Sequence, residues 1–128
     1  MTYLLDTCTL LWWWTQPLSL SKLVLTLLKD PQNQFFVSSA SAWEVATKYR
    51  IGKYPEGRLV IVEWEKRLDE DGFKELPIGF SHALKSGSLP GEHRDPFDRM
   101  IAAQSMHASI PVITCDPAIA GLGAEVLW

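Results

Sequence analysis

The sequence predicts a three-layer α/β/α domain on a mainly parallel sheet of four to five strands. Three observations carry that prediction. Short apolar runs of strand length alternate with longer runs at helical spacing. The chain has 128 residues with no internal repeat, low-complexity tract or linker, which suits one domain spanning residues 1–128. Hydrophobic residues make up 47% and charged residues 21%, a globular composition able to fill a core.

The elements follow in order. "TYLLD" reads as a short buried strand ending at Asp6, and Thr7 to about Trp14 as a helical segment. "LSLSKLVLTLLKD" carries Leu20, Leu23, Val24, Leu27 and Leu28 as a helical stripe, with Ser19 or Ser21 as its cap. "QFFVS" is the second strand, set off by the turn residues Pro31 to Asn33. "SAWEVATKYRIGK" is a helix whose N-terminal "SAWE" matches a capping box on Ser41 and whose stop is Gly52. From Gly57 to Asp71, Ile61, Trp64 and Leu68 recur at helical spacing. "FKELPI" is a short third strand and "SHALKSG" a short helix ended by its glycine. Pro96 to His107 is apolar almost all round and is expected to be a central buried helix. "PVITCD" is the fourth strand, "PAIAG" a turn of helix, and "AEVLW" a fifth strand at the edge.

The formal charge of −3 shows no overall basic surface, although a local patch can still bind phosphates. Two cysteines cannot make a disulfide framework and favour a reducing compartment. Cys8 and Cys115 are expected to be buried small hydrophobes. The first apolar run is broken by Asp6 and stops near Gln16 and Pro17, too early for a bilayer. The expectation is a cytoplasmic protein with no membrane association. Trp12, Trp13 and Trp14 are consecutive, so they cannot all face one core. They form either part of a partner surface or a ring over a core edge.

Function is most legible in the acids. In a parallel sheet the functional crevice lies beyond the carboxyl ends of the strands, and there Asp6 ends the first strand and Asp116 the fourth. Each also has a local explanation as a helix cap. Asp95 is the best cap in the chain, with Pro96 at the first helical position and Asp98 two residues beyond it. Asp98 lies inside the first turn of a buried helix, where the dipole helps a carboxylate that still needs a partner. Glu44 fits the capping box, or an ion pair with Lys48 one turn on. Taken together, Asp6, Asp98 and Asp116 should converge at one sheet edge, with Glu44 reaching in from a helix. Two carboxylates about 5 Å apart repel by roughly 3 kcal/mol at an effective dielectric near 20. Such a cluster takes up protons, basic side chains or a divalent cation. Oxygen ligands suit Mg²⁺ or Mn²⁺, and no Cys/His zinc spacing is present. Such an ion activates water and stabilises charge on a phosphoryl group, so phosphodiester hydrolysis is the expected chemistry. Lys48, Arg50, Lys53, Arg94 and Arg99 flank the acids and can meet a nucleic-acid backbone, or simply be solvated. Asp95 and Thr114 are secondary site candidates, and His93 is either a rim residue or structural.

The ordered segments "YLLDTCTLLWWW", "VSSASAWEVATKYRIGK", "LPGEHRDPFDRMIAAQS", "VITCD" and "VLW" resemble a PIN-domain ribonuclease, in particular a VapC-type toxin of a type II toxin–antitoxin module. The resemblance runs along essentially the whole chain. It implies a metal-dependent endoribonuclease with acidic positions at Asp6, Glu44, Asp98 and Asp116. It also implies a homodimer and a small cognate antitoxin lying across the acidic groove. Rivals fit less well. A kinase catalytic loop would need asparagine where Met100 stands and a Gly-rich phosphate loop, which is missing. An aspartyl-phosphate phosphatase would need an acid where Cys8 stands, and a receiver-type domain does not explain Glu44 inside a helix. The alternative from a different class is a catalytically silent PIN-like RNA- or protein-binding module, to which Cys8 and the segment after Asp116 give room.

Overall fold

A computed structural model describes residues 1–128. Its five strands are β1 (Thr2–Leu5), β2 (Gln34–Ser38), β3 (Lys74–Leu76), β4 (Val112–Ile113) and β5 (Val126–Leu127). They lie in the order β3-β2-β1-β4-β5, and every neighbouring pair is parallel. The sheet is therefore wholly parallel, with the predicted fifth strand at one edge. Leu5 of β1 pairs with Val37 of β2 on one side and Ile113 of β4 on the other. The chain runs outward from β1 to β2 and β3, then returns to start the other half at β4. A crevice opens at such a reversal, beyond the strand carboxyl ends.

The helices are α1 (Thr7–Thr15), α2 (Lys22–Lys29), α3 (Ser39–Arg50), α4 (Arg58–Val62), α5 (Trp64–Asp71), α6 (Phe80–Ser88), α7 (Pro96–Ala108) and α8 (Pro117–Gly121). Alternation along β1 sends Tyr3 and Leu5 to one face and Leu4 to the other. The first face packs on Leu10, Val24 and Leu28 of α1 and α2 and on Leu68 of α5. The second packs on Ile101 and Ala102 of α7 and Ile119 of α8. Two apolar layers with the sheet between them make the expected three-layer domain. Gln104, buried in the middle of α7, ties it to the end of β3 by donating to the carbonyls of Leu76 (3.3 Å) and Pro77 (3.2 Å).

The structure corrects several local expectations. The segment expected as one helical run over 57–71 breaks at Glu63 with no proline or glycine to announce it. The first piece buries Val60, and the second turns Trp64 and Leu68 onto the α1/α2 core. Gly87 does not stop α6, which runs on to Ser88. Leu89 then turns extended (φ −57°, ψ 131°), as a residue before proline prefers. Ser41 is not a cap, because α3 begins two residues earlier with Ser38 accepting from the Ala40 N–H at 3.0 Å. Strand β3 is shorter than "FKELPI" suggests. The three tryptophans form the ring over a core edge. Trp13 and Trp14 both donate to Asp71 Oδ2 (3.2 and 2.8 Å), Trp14 meets Trp64 edge-on, and Trp12 leans on Trp128.

Candidate active site

Strand β1 delivers Asp6 into the crevice, and the Asp6 N–H closes on the Ile113 carbonyl of β4 at 3.2 Å. Its Oδ1 accepts from the Thr7 N–H at 2.8 Å, which caps α1, while Oδ2 accepts from the Thr114 hydroxyl at 2.7 Å. Cap and cluster member are thus one residue, each role using a different oxygen. Burial pushes the Asp6 carboxyl up to about 7, helped by the charges of Asp98 and Glu44. The Thr114 and Thr7 hydrogen bonds only partly offset this. Thr114, a secondary candidate from sequence, holds two acids in register. Its hydroxyl donates to Asp6 and accepts the Asp116 N–H at 3.0 Å. Asp116 caps α8 through Oδ1 and is half-buried.

Asp98 enters from the first turn of α7. Asp95 Oδ1 accepts from the N–H groups of Phe97 (2.8 Å) and Asp98 (3.2 Å), and Pro96 fixes the first helical residue. That cap orients the helix and aims the Asp98 carboxylate inward, where only 8% of the residue stays exposed. Burial raises the Asp98 carboxyl above its ordinary value, as do the charges of Asp95, Asp116 and Glu44. A hydrogen bond with His93 opposes them. His93 Nε2 sits 2.8 Å from Asp98 Oδ2. The sequence left His93 between a rim and a structural role. Its contact with Asp98 comes from a loop with no periodicity, so no sequence signal could have found it. Potential ligand atoms of His93, Asp95 and Asp98 all lie within 4.8 Å of one another.

Glu44 projects from α3 and is buried, with Oε2 2.5 Å from Lys48 Nζ and Oε1 buried with no partner. Burial would lower the Lys48 ammonium, but the Glu44 hydrogen bond and the charges of Glu44, Asp95 and Asp98 together raise it. Glu44, Asp95 and Asp98 therefore share the field of one cation. The ion pair expected at this spacing forms, and the capping box does not.

The flanking bases separate. Arg50, Lys53 and Arg94 are exposed and make no ion pair. Arg99 is different from the phosphate contact expected of it. Its guanidinium donates to the carbonyls of Ser86 (3.1 Å), His93 (3.0 Å) and Leu89, fastening the loop before α7. It positions His93 instead of facing solvent. The cysteines also depart from expectation, because both are exposed. The Cys8 thiol is pushed up to about 11 by partial burial and by the Asp6 charge, so it is no nucleophile at neutral pH.

The donor set is almost all oxygen, with two carboxyls raised chiefly by burial and further by neighbouring charges, and one buried carboxylate oxygen orphaned. Those properties suit a hard divalent cation better than zinc. The group whose ligand atoms come together within 4.8 Å is His93, Asp95 and Asp98, while Asp6, Glu44 and Asp116 reach Asp98 through their charges and not within that distance of the trio.

An acid-lined crevice at the reversal of a parallel sheet defines the class, and the sequence agrees with it. The PIN domain model matches residues 3–124, and the chain belongs to that family. No curated protein sequence matches it. Among solved structures it is similar to VapBC2 from Rickettsia felis bound to a promoter DNA fragment, with TM-score 0.72 and 16% identity over 99% of this chain and 98% of that one. VapBC-1 from nontypeable Haemophilus influenzae follows, with TM-score 0.66 and 17% identity over 99% and 97%. FitAcB from Neisseria gonorrhoeae has TM-score 0.64 and 20% identity over 98% and 96%.

Proposed function

We propose that this protein is a Mg²⁺- or Mn²⁺-dependent endoribonuclease toxin that cleaves RNA phosphodiester bonds and is held inactive by a small cognate antitoxin. The observation that carries the reading is the coupled acid cluster at the switch point. Asp6 is pushed up to about 7 while Glu44 Oε1 lies buried without a partner. A cluster in that state is short of positive charge, and a divalent cation on Asp6, Glu44, Asp98 and Asp116 would supply it. When bound, the metal lowers the pKa of a water and offsets charge on the phosphoryl oxygens. The chain does the rest. Thr114 ties the Asp6 carboxylate to the Asp116 backbone, His93 holds one oxygen of Asp98, and Lys48 holds one oxygen of Glu44. Arg50 and Arg94 offer free cations to an RNA backbone.

The family and the folds of the VapBC and FitAB structures support an antitoxin partner, and a further structure of this fold is a toxin–antitoxin complex from Klebsiella pneumoniae. The same reading makes the protein a cytoplasmic homodimer. No helix is long and apolar enough to cross a membrane. One observation favours the silent-module alternative: Lys48 already offsets charge on Glu44, and His93 already occupies an oxygen of Asp98, without a metal. RNA cleavage with and without Mg²⁺ or Mn²⁺, beside Asp6→Asn and Asp98→Asn, decides between them. The nuclease reading expects chelator-sensitive cleavage that both variants lose. Cleavage indifferent to chelator, or equal in the variants, would overturn it, and no cleavage with no growth arrest on expression would favour the module.

A further inference from the structure

A second feature borders the acid cluster. Between α1 and the C-terminal end of α3 lies a cleft of about 210 Å³, lined by Leu11, Glu44, Val45, Lys48, Lys53 and Tyr54, among others. Glu44 is the shared wall, so anything in the cleft lies directly beside the acids. The loop after α3 is built to form it. Gly52 adopts φ +81°, a left-handed turn that lets the chain reverse, and the N–H groups of Lys53 and Tyr54 both return to the Lys48 carbonyl (2.8 and 3.1 Å). One carbonyl thus gathers Lys48, Lys53 and Tyr54 at the same rim. The Tyr54 ring rests on Gly57, where a Cβ would sit 2.6 Å from ring Cδ2. Glycine is needed there for the ring to lie where it does.

The lining pairs flat apolar surface with unspent polarity. Leu11, Val45 and the Tyr54 ring supply the apolar walls. The Tyr54 hydroxyl makes no hydrogen bond within the chain, and Lys53 is exposed with no carboxylate in ion-pair range. The volume falls below the roughly 300 Å³ at which drug-sized pockets begin, so it suits a group the size of one base. An aromatic wall with a cation at its mouth fits a base on the ring and its phosphate on the lysine. A wider groove of about 700 Å³, bordered by Gly91, Glu92, His93 and Arg94, meets the cluster through a different member, His93. A strand could therefore run from the narrow cleft past the acids into the open groove.

We infer that the Leu11/Val45/Tyr54 cleft, with Lys53 at its mouth, is a subsite for one nucleotide of an RNA strand, beside the bond that is cut. This deepens the nuclease reading and rests on it. The test measures binding of a short fluorescein-labelled single-stranded RNA to the full chain by anisotropy, with calcium as the only divalent cation. Tyr54→Leu should weaken binding about tenfold and Tyr54→Phe by no more than about threefold. Lys53→Gln should reduce the slope of log affinity against log salt by about 0.7. Gly57→Ala, which displaces the ring without deleting it, should behave like Tyr54→Leu. Tyr49→Leu, an exposed tyrosine of α3 outside the cleft, should match the wild type. Should Tyr54→Leu fail to fold, the Lys53→Gln salt slope decides alone. Undetectable RNA binding overturns the subsite, as does wild-type binding by both Tyr54→Leu and Lys53→Gln. The two readings separate cleanly. Chelator-sensitive cleavage with unaltered binding in the variants removes the subsite and keeps the nuclease. Variant-sensitive binding without any cleavage keeps the subsite and removes the nuclease.

Discussion

Asp6→Asn should make the metal-free protein more stable, although it removes a central site residue. Moving a carboxyl from 3.8 to about 7 corresponds to about 4 kcal/mol of penalty on its charged form at high pH. Asparagine carries no charge and keeps the acceptor for the Thr7 N–H, but it loses the strong acceptor now taken by Thr114. That loss costs about 1 kcal/mol or somewhat more. The net gain is roughly 2–3 kcal/mol, or roughly 6–12 °C in Tm for a domain of this size. The sign follows from proton linkage. Native Asp6 binds its proton more tightly than the unfolded chain does, so its contribution is fully present below 3.8 and is lost as pH rises through about 7. The variant cannot lose it. Melting curves in chelator, from about pH 4 to about pH 8, should show a Tm difference that opens with pH and levels off beyond the folded value. A difference that ignores pH, or a wild type that stays more stable at about pH 8, would refute the charge-frustration account.

Adding Mg²⁺ or Mn²⁺ at about pH 8 should raise the wild-type Tm and leave Asp6→Asn nearly unmoved, since a ligand of the native state stabilises by mass action. Thr114→Val should weaken that metal response at least tenfold in half-maximal concentration, because it frees Asp6 Oδ2 and strips the Asp116 N–H of its acceptor; a metal titration followed by Tm checks it. Ser109, the only non-glycine residue at positive φ (56°), closes α7 in the left-handed region, so Ser109→Gly should stabilise by about 1 kcal/mol in urea titration. Ile101→Ala should cost about 3–4 kcal/mol by the same titration, because the side chain is fully buried against the sheet.

The sheet was legible because its cues are local and periodic. β1 and β2 are short apolar runs, and α2 and α7 carry their caps in sequence, at Ser21 and Asp95. Asp6, Asp98 and Asp116 could be nominated because strand ends and helix starts fix where a residue lands in a parallel sheet, and Glu44 by its place on the helix that follows β2. What escaped was set by tertiary contact. The same reading that found Asp98 could not see His93 fold back on it, because a loop has no period to project. Arg99 looked like a free cation because its three acceptors are backbone carbonyls, which every residue offers and no sequence marks. The break at Glu63 was hidden for the opposite reason: the apolar spacing is continuous, while in the fold Leu68 joins the α1/α2 core and Val60 is buried outside it.

The cap reading and the cluster reading of the acids looked like rivals in sequence and are not rivals in the fold. A helix that begins at the carboxyl end of a strand needs an N-cap there, and an aspartate meets the need with one oxygen. The other oxygen remains, aimed past the sheet edge by the geometry the cap imposes. Asp6 and Asp116 each cap through Oδ1, and Asp6 presents Oδ2 to Thr114. Asp95 caps through Oδ1 and thereby sets the angle at which Asp98 enters. Stability and site are built from the same carboxylates, and burial at that edge is what chiefly raises Asp6, with the charges of Asp98 and Glu44 adding to it. Glu44 and Asp98 cap nothing themselves, and of these acids only Glu44 is left with an orphaned buried oxygen. Of the four nominated acids it is the one whose burial the chain leaves uncompensated at one oxygen.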